Sequence, residues 1–267
     1  MSTGIDIDSI SLKFRLYHEK GSDLKAMVAG LLRGQRRRAY TDFWALNDLT
    51  LNIKHGERVG VIGHNGAGKS TLLKVLSGIY FPDSGRVKVD GRLCSLLEIG
   101  TGFHPELTGR ENIRLYASIY GLSRVEALRM FDDVVAFTDL AAFIDTPVKY
   151  FSTGMYGRLA FATATAVRPE ILVLDEMFAG ADQDFIAKAS KRMIDFMAAA
   201  SIVVLVSHEL DLVRRFCSRV VWLDHGRLNR DGPIDQVLAI YDQPVQGEAI
   251  RPQSMVAKAL LINGESS

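Results

Sequence analysis

Residues 63–70 carry a glycine-rich pattern whose residue types suit phosphate binding. The run is Gly63-His64-Asn65-Gly66-Ala67-Gly68-Lys69-Ser70, followed by Thr71. Glycines let the backbone turn so that its N–H groups surround phosphate oxygens, Lys69 can reach the β- and γ-phosphates, and the Ser70 hydroxyl can coordinate Mg²⁺. The loop lies between a strand-like run and a helical one, and a helix N-terminus attracts anions. These features predict a site for a nucleoside triphosphate and Mg²⁺.

Two carboxylates follow the apolar run Ile171–Leu174, which we predict to be a buried strand. Ligands of parallel sheets sit at the carboxyl ends of the strands, so Asp175 and Glu176 can both face the nucleotide. Asp175 is placed to hold the Mg²⁺ shell, and Glu176 to orient or deprotonate the attacking water. An Asp-Glu pair alone has another explanation, since helix N-termini often attract acidic residues. Together with the glycine-rich loop, the pair indicates hydrolysis.

A histidine, His208, closes a second apolar run, Ile202–Val206. Such a histidine is commonly a structural hydrogen-bonding group, but the strand order favours contact with a γ-phosphate. A further anion site is predicted at Phe151-Ser152-Thr153-Gly154-Met155, because Ser152 and Gly154 precede a helix over residues 156–167.

These four segments, in this order, resemble the ATP-binding cassette (ABC) ATPase family. The resemblance implies that Ser152 and Gly154 contact the γ-phosphate bound by a second subunit, so that a homodimer closes on two ATP molecules. It also implies that Asp182, in Ala179-Gly180-Ala181-Asp182, is the aspartate of the loop that communicates between subunits. At this segment the family motif is Leu-Ser-Gly-Gly-Gln, and Thr153 and Met155 depart from it.

The fold implied by this resemblance is an α/β P-loop domain over residues 1–245. It comprises a mixed RecA-like core, an N-terminal antiparallel β subdomain and an inserted α-helical subdomain over about residues 105–167. A basic insert over about residues 18–42 and a short tail over residues 246–267 complete the chain. The insert is predicted to hold a helix capped by Ser22 and ended by Gly34. Its arginines are typical of a solvated loop, or of a surface that faces a partner or lipid headgroups.

Two parts of the expected site are ambiguous in sequence. No glutamine stands near Ile99, where the family places its Mg²⁺-sensing side chain, and Glu98 is the nearest polar candidate. Tyr17 is our choice for the aromatic platform under adenine, with Phe14 and Trp44 as alternatives.

Where the chain departs from the general family pattern, it resembles one subfamily, the ATPase subunits that export lipid-linked polysaccharides such as O antigen, capsule and teichoic acid. The features concerned are residues 96–103 (Leu-Leu-Glu-Ile-Gly-Thr-Gly-Phe), residues 108–112 (Thr-Gly-Arg-Glu-Asn), residues 152–155 (Ser-Thr-Gly-Met) and the basic insert. This resemblance implies integral-membrane permease subunits as partners, lipid-linked polysaccharide as cargo, and a peripheral position on the cytoplasmic face of the inner membrane. The alternatives are a subunit for another cargo, importer or small-molecule exporter, and a non-transport ABC ATPase.

Composition supports these expectations. Lys plus Arg total 32 and Asp plus Glu total 31, for a net charge of +1, which argues against a nucleic-acid partner. Cys94 and Cys217 share no disulfide or metal pattern and are predicted to be reduced core thiols. No apolar run is long enough for a membrane span, and the N-terminus shows no secretory signal pattern.

The elements that must position these groups follow from hydrophobic periodicity. Alternation predicts antiparallel strands at Ile10–Tyr17 and Trp44–Ile53. Strands are also predicted at residues 58–63 and 86–90, helices at residues 69–79 and 185–199, and a hairpin over residues 220–228 before a helix at Ile234–Tyr241. From Pro105 to Val167 the pattern is helical throughout, with a capping box at Ser123 and Glu126.

Overall fold

The computed structural model of the chain describes residues 3–17, 40–96, 100, 102–175 and 183–241. Within these residues the strands, in chain order, are β1 (Gly4–Tyr17), β2 (Tyr40–Lys54), β3 (Arg58–Ile62), β4 (Ser84–Asp90), β5 (Leu93–Ser95), β6 (Ile171–Asp175), β7 (Ile202–Val206), β8 (Arg219–Asp224) and β9 (Arg227–Pro233). The helices are α1 (Lys69–Leu76), α2 (Gly109–Ile119), α3 (Arg124–Thr138), α4 (Thr153–Thr165), α5 (Gln183–Ala199), α6 (Leu210–Phe216) and α7 (Ile234–Tyr241).

The antiparallel unit predicted near the N-terminus is confirmed. β1 pairs with β2 from Gly4 opposite Lys54 to Tyr17 opposite Tyr40, and β4 pairs with the other edge of β1. β1 begins at Gly4, earlier than predicted, because the pairing continues past a bulge at Ser9, whose φ is +47°. A bulge of this kind moves the alternation of apolar and polar residues out of phase, so the sequence pattern places the start of the strand at Ile10 and misses residues 4–9.

A six-stranded sheet in the order β5-β6-β7-β3-β8-β9 forms the centre of the described structure. All neighbouring pairs are parallel except β8 and β9, which form the predicted hairpin. Alternate residues of β6 face opposite layers. Ile171 and Val173 pack in the cluster shared with α1 and the antiparallel sheet, whereas Leu172 and Leu174 pack in the cluster shared with α5 and α6. Burial on both faces explains why these strands are continuous apolar runs. The mixed core of the predicted α/β fold is therefore confirmed.

Helices α2, α3 and α4 form a separate helical layer around their own core, which includes Ile113, Val134 and Leu159. Capping boxes begin α2, through Thr108 and Glu111, and α3, through Ser123 and Glu126. The prediction of helix throughout residues 105–167 is too simple. α3 ends at Thr138, the next residue, Asp139, has a φ of +58°, and single 3₁₀ turns occupy Ala141–Phe143 and Val148–Tyr150 before α4.

The two cysteines are free and buried, as predicted. Burial raises the pKa of Cys94 to about 11 and that of Cys217 to about 12. Both side chains therefore remain thiols at neutral pH and act as small apolar groups in the core. Among the residues that the structure describes, no helix combines the length and apolar character needed to cross a bilayer.

Two sequence predictions fall wholly or partly outside the described residues. The helix expected from Ser22 to Gly34 and the tail over residues 246–267 lie outside them. The last residues assigned to the basic insert, 40–42, belong instead to β2, where Tyr40 lies opposite Tyr17. β5 and α6 were not predicted, because elements of three and seven residues are too short to show a period.

Candidate nucleotide-binding site

Four neighbouring strands bring the predicted groups to one edge of the central sheet. Val206 of β7 lies opposite both Asp175 of β6 and Val61 of β3, so these strands end at the same level. The glycine-rich loop follows β3, and His208 follows β7. On the other side of β3, Ile62 pairs with Trp222 of β8, shortly before that strand ends at Asp224. Segments far apart in sequence thus meet at the carboxyl edge where parallel sheets bind ligands.

The glycine-rich loop, residues 63–70, has a shape that requires glycine. Gly63, Gly66 and Gly68 have φ values of +147°, +82° and +103°. A Cβ on Gly63 would lie 2.3 Å from the Leu223 carbonyl oxygen, and one on Gly68 would lie 2.5 Å from that of Ala45. A Cβ on Gly66 would meet no atom within 4 Å. The loop is therefore packed tightly against β8 and β2 on its inner side, while its turn at Gly66 is open to a ligand.

Lys69 stands at the start of α1 and is only 6% exposed. Its Nζ donates to the carbonyl oxygens of Gly63 at 2.7 Å and His64 at 2.9 Å, so the ammonium lies inside the loop. Ala67 is buried and its N–H donates to the His64 carbonyl oxygen, which closes the turn. Asn65 and Ser70 are exposed, and Thr71 is half-buried. A cation inside the loop, backbone N–H groups at a helix start and an exposed hydroxyl at Ser70 fit a Mg²⁺-bound phosphate chain.

His64 belongs to a cluster that sequence reasoning missed. Its Nδ1 lies 2.7 Å from the Asn65 carbonyl oxygen and its Nε2 lies 2.8 Å from Asp224 Oδ1, which also lies 2.8 Å from His225 Nδ1. The hydrogen bond to the Asn65 carbonyl is the main reason that the pKa of His64 is raised, and Asp224 adds to it. Burial alone would raise the pKa of Asp224, but the two imidazoles lower it. In the sequence, residues 224–226 fall inside the predicted hairpin over residues 220–228 and carry no further sign of this cluster.

The groups predicted for hydrolysis are partly placed by the structure. Asp175 is the half-buried last residue of β6. Ser207 is buried, its hydroxyl accepts from the Glu209 N–H at 2.9 Å, and this bond turns the chain so that His208 is exposed at the same edge. Glu176, Asp182 and Glu98 lie outside the described residues. Their roles remain predictions.

Ser152 and Gly154 are brought together at the N-terminus of α4. The Ser152 hydroxyl accepts from the Met155 N–H at 3.2 Å, which makes Ser152 the N-cap of that helix. Ser152 is exposed, and a Cβ on Gly154 would meet only the Ser152 hydroxyl, at 4.0 Å. This open helix start can accept an anion from a facing surface.

A hydrogen bond ties this helix to the segment that precedes α2. The Tyr156 hydroxyl donates to the Gly100 carbonyl oxygen at 3.1 Å, and the Phe103 ring packs edge-to-face on Tyr156 at 5.8 Å. Gly100 has a φ of +90°, and a Cβ there would lie 2.9 Å from the Tyr156 ring. A larger residue at Gly100 would therefore push this segment away from α4.

The aromatic candidates for the adenine platform lie along one ribbon. Tyr17 is opposite Tyr40 at its far end, whereas Trp44 is opposite Lys13 and next to Ala45, whose carbonyl contacts Gly68. Trp44 is 43% exposed. Phe14 is partly buried and packs edge-to-face on Tyr80 at 5.5 Å. Trp44 is thus next to a residue that packs on the phosphate loop, whereas Tyr17 lies at the far end of the ribbon. The choice of Tyr17 remains a prediction.

Residues 108–112 build the loop that enters the helical layer. Thr108 and Glu111 cap α2, and Arg110 makes a two-bond ion pair with Asp145. Asn112 is completely buried, and its amide oxygen accepts from the His104 N–H at 2.7 Å. The amide nitrogen donates to the carbonyl oxygens of His104, Leu107 and Thr108. Asn112 therefore holds residues 104–108 in one shape.

We expect Asn112→Ala to lower the free energy of unfolding by roughly 1–3 kcal/mol, because it leaves the His104 N–H without its acceptor and removes a completely buried amide from the loop. The three carbonyl oxygens keep backbone N–H donors, from Leu107, Val148 and Asn112 itself. Thermal unfolding followed by circular dichroism measures this loss. Asn229→Ala is the control, since Asn229 is exposed in β9 and should change stability by less than about 0.5 kcal/mol. Equal stabilities for both variants would show that the Asn112 hydrogen bonds are not needed.

Comparison with known proteins shows which family has this arrangement. A family model described as ABC transporter matches residues 46–179. The O-antigen export system ATP-binding protein RfbB of Klebsiella pneumoniae is 38% identical over 243 residues, which are 91% of this chain and 99% of that protein. RfbB of Myxococcus xanthus is 40% identical over 95% of this chain and 58% of its own length. The teichoic acids export ATP-binding protein TagH of Lactococcus lactis subsp. lactis is 38% identical over 91% of this chain and 51% of its own length.

Solved structures agree with this assignment. An ATP binding subunit of an ABC transporter superposes with a TM-score of 0.65 at 25% identity, covering 89% of this chain and 92% of that one. The dimeric bacterial ABC transporter cassette MJ0796 superposes with a TM-score of 0.61 at 22% identity, covering 86% of this chain and 98% of that one, which shows the fold. The chain belongs to the ABC transporter family and is one of its ATP-hydrolysing, nucleotide-binding cassettes. Among its relatives are the ATP-binding proteins named for O-antigen and teichoic acid export systems.

Proposed function

We propose that this chain is the ATP-hydrolysing subunit of an ABC transporter that exports lipid-linked polysaccharide across the cytoplasmic membrane. The observation that carries the proposal is the similarity to the Klebsiella O-antigen export ATP-binding protein over 99% of that protein's length. The phosphate loop, Asp175 and His208 at one sheet edge support ATP hydrolysis. The Thr-Gly-Arg-Glu-Asn segment at residues 108–112 supports the polysaccharide-export subfamily.

Nucleotide binding follows from the loop. Backbone N–H groups of residues 63–70 and the start of α1 surround the phosphates, and Lys69 moves from the loop carbonyls to the β- and γ-phosphates. Ser70 and Asp175 would hold Mg²⁺, which neutralises charge that develops on the phosphate oxygens. Glu176 then orients the attacking water and accepts its proton, while His208 contacts the γ-phosphate. A homodimer brings Ser152 and Gly154 of the second copy to the same γ-phosphate, and Asp182 communicates between the copies.

The open start of α4 supports this dimer. Ser152 is exposed and Gly154 leaves its space free, so the helix N-terminus is accessible to a nucleotide held by another copy. The Tyr156–Gly100 hydrogen bond would pass movement of α4 to residues 98–107, which we infer contact the permease. The basic insert is a second candidate contact. This assembly places the chain peripherally on the cytoplasmic face of the inner membrane, as a transporter subunit with no nucleic-acid partner.

The test uses cells in which Lys69→Ala replaces the natural chain. We expect one lipid-linked saccharide to accumulate inside the cell and the corresponding polymer to disappear from the surface. Lipid extraction with mass spectrometry and surface glycan staining measure both changes and identify the cargo. Lys74→Ala is the matched control, because Lys74 lies on the same helix α1, outside the loop, with its Nζ over the Tyr80 ring.

A different cargo is the alternative. An unchanged surface and no retained saccharide in the Lys69→Ala cells would contradict polysaccharide export while leaving the ATPase assignment intact. The proposed function would then be that of an ATPase subunit of an importer or of a small-molecule exporter.

A further inference from the structure

The side chains of His64, Asp224 and His225 form a cluster where the phosphate loop meets the β8–β9 turn, and the proposed hydrolysis uses none of these three side chains. His64 Nε2, Asp224 Oδ1 and His225 Nδ1 all lie within 4.8 Å of one another. The two imidazole rings are 4.7 Å apart between centroids. His64 follows β3, whereas Asp224 and His225 form the β8–β9 turn, so the cluster joins segments 160 positions apart in sequence.

Proton accounting shows that the cluster has a place for a positive charge. The Asn65 carbonyl oxygen can only accept, so the His64 Nδ1 that faces it at 2.7 Å must carry a hydrogen. In the neutral ring, Nε2 then presents a lone pair to Asp224 Oδ1 at 2.8 Å. Two acceptors at this distance repel each other unless a second proton or a metal cation lies between them. Imidazolium formation supplies the proton, and a cation can replace it.

The surroundings of the three atoms match those of protein metal ligands. A metal-bound histidine usually donates its other ring N–H to a carbonyl or carboxylate, as His64 does to Asn65. Two imidazole nitrogens and one carboxylate oxygen are ligands that zinc accepts, with water in the remaining position. Solvent can supply that water, because the side chains of His64, Asp224 and His225 are 38%, 42% and 82% exposed.

The backbone also holds the ligands in place. His225 has a φ of +47° in the tight turn between β8 and β9. The Gly226 N–H donates to the Ala67 carbonyl oxygen at 2.9 Å, and the Asn47 N–H donates to the Gly226 carbonyl oxygen at 2.8 Å. These bonds fasten the turn to the phosphate loop and to β2.

We propose that His64 Nε2, Asp224 Oδ1 and His225 Nδ1 form a binding site for a divalent transition cation of the zinc type, which links the phosphate loop to the β8–β9 turn. This site is separate from the one expected for the Mg²⁺ of the nucleotide. Asp175 ends β6, and β7 lies between β6 and β3, whereas Asp224 ends β8 on the opposite side of β3. The ligand types differ as well, since Mg²⁺ prefers oxygen donors.

The experiment titrates the full-length, untagged chain with Zn²⁺ in the absence of nucleotide, at mildly alkaline pH, by isothermal calorimetry. One Zn²⁺ per chain is expected, together with a rise in the thermal unfolding temperature. Co²⁺ in place of Zn²⁺ should give visible absorption bands from nitrogen and oxygen ligation. His225→Asn should weaken Zn²⁺ binding about tenfold or more. Asparagine tolerates the positive φ, so this variant keeps the turn.

Two further variants make the assignment specific. Asp224→Asn should weaken binding as His225→Asn does, because it removes the shared anionic ligand. His55→Ala is the control, since His55 is an exposed histidine between β2 and β3, at the opposite end of β3 from the phosphate loop. Absence of one-to-one binding to the natural chain would overturn the proposal. So would equal Zn²⁺ affinities in the natural chain and both site variants, or a loss in His55→Ala as large as that in His225→Asn.

Discussion

Replacing Lys69 by alanine is expected to reduce ATP hydrolysis by the purified chain about 10²–10³-fold, the loss typical of removing one hydrogen-bond donor to a developing oxyanion. The affinity for ATP should fall as well, because the loop loses the cation that we propose to face the β- and γ-phosphates. In the structure Lys69 Nζ is held by the carbonyl oxygens of Gly63 and His64. No other lysine or arginine lies in residues 63–70, so no neighbour in the loop can replace this charge.

Phosphate release and equilibrium binding of a fluorescent ATP analogue measure the two effects. Lys74→Ala again serves as the control, since it removes a cation from the same helix without changing the loop. Because Lys69 also supports the loop from inside, thermal unfolding of the variant must be followed in parallel. Natural rates of hydrolysis in a folded Lys69→Ala protein would contradict the assignment of residues 63–70 as the phosphate site.

Glu176→Gln is expected to slow hydrolysis about 10²–10⁴-fold while ATP still binds, because the amide can hold a water but cannot accept its proton. The ATP-bound state then persists. Two copies should remain closed on two nucleotides, with each phosphate loop facing the start of α4 in the other copy. Size-exclusion chromatography with light scattering, in ATP and Mg²⁺, should show a dimer that ADP does not produce.

A second change separates the dimer from simple loss of turnover. Gly154→Arg should abolish the ATP-dependent dimer of the Glu176→Gln protein, since a long side chain fills the open space at the N-terminus of α4. Thr153 is exposed on the same turn, and Thr153→Ala should leave the dimer intact. A dimer that survives Gly154→Arg would show that the copies associate through another surface. Normal turnover in Glu176→Gln would remove Glu176 from its proposed role.

The amino-acid sequence by itself determined the parts of the protein that depend on neighbours in the chain. Glycine spacing and Lys69 predicted the phosphate loop, and the structure has the required positive φ angles at Gly63, Gly66 and Gly68. Continuous apolar runs predicted β6 and β7, because a strand buried on both faces needs no polar alternation. The capping box at Ser123 was readable because its bonds span only three residues. The resemblance to family motifs added two predictions, that the nucleotide is ATP and that a second subunit completes the site.

Tertiary structure decided what depends on contacts between distant segments. The sheet order brings Asp175, His208 and the loop to one edge, and the alternation of single strands does not contain that order. The burial of Asn112 among loop carbonyls and the Tyr156–Gly100 bond appear only when the helical layer is packed. His64 meets Asp224 because β3 and β8 are neighbours in register, although 160 positions separate the two residues. Periodicity reports which face of an element is buried, whereas the partner of that face is chosen by packing.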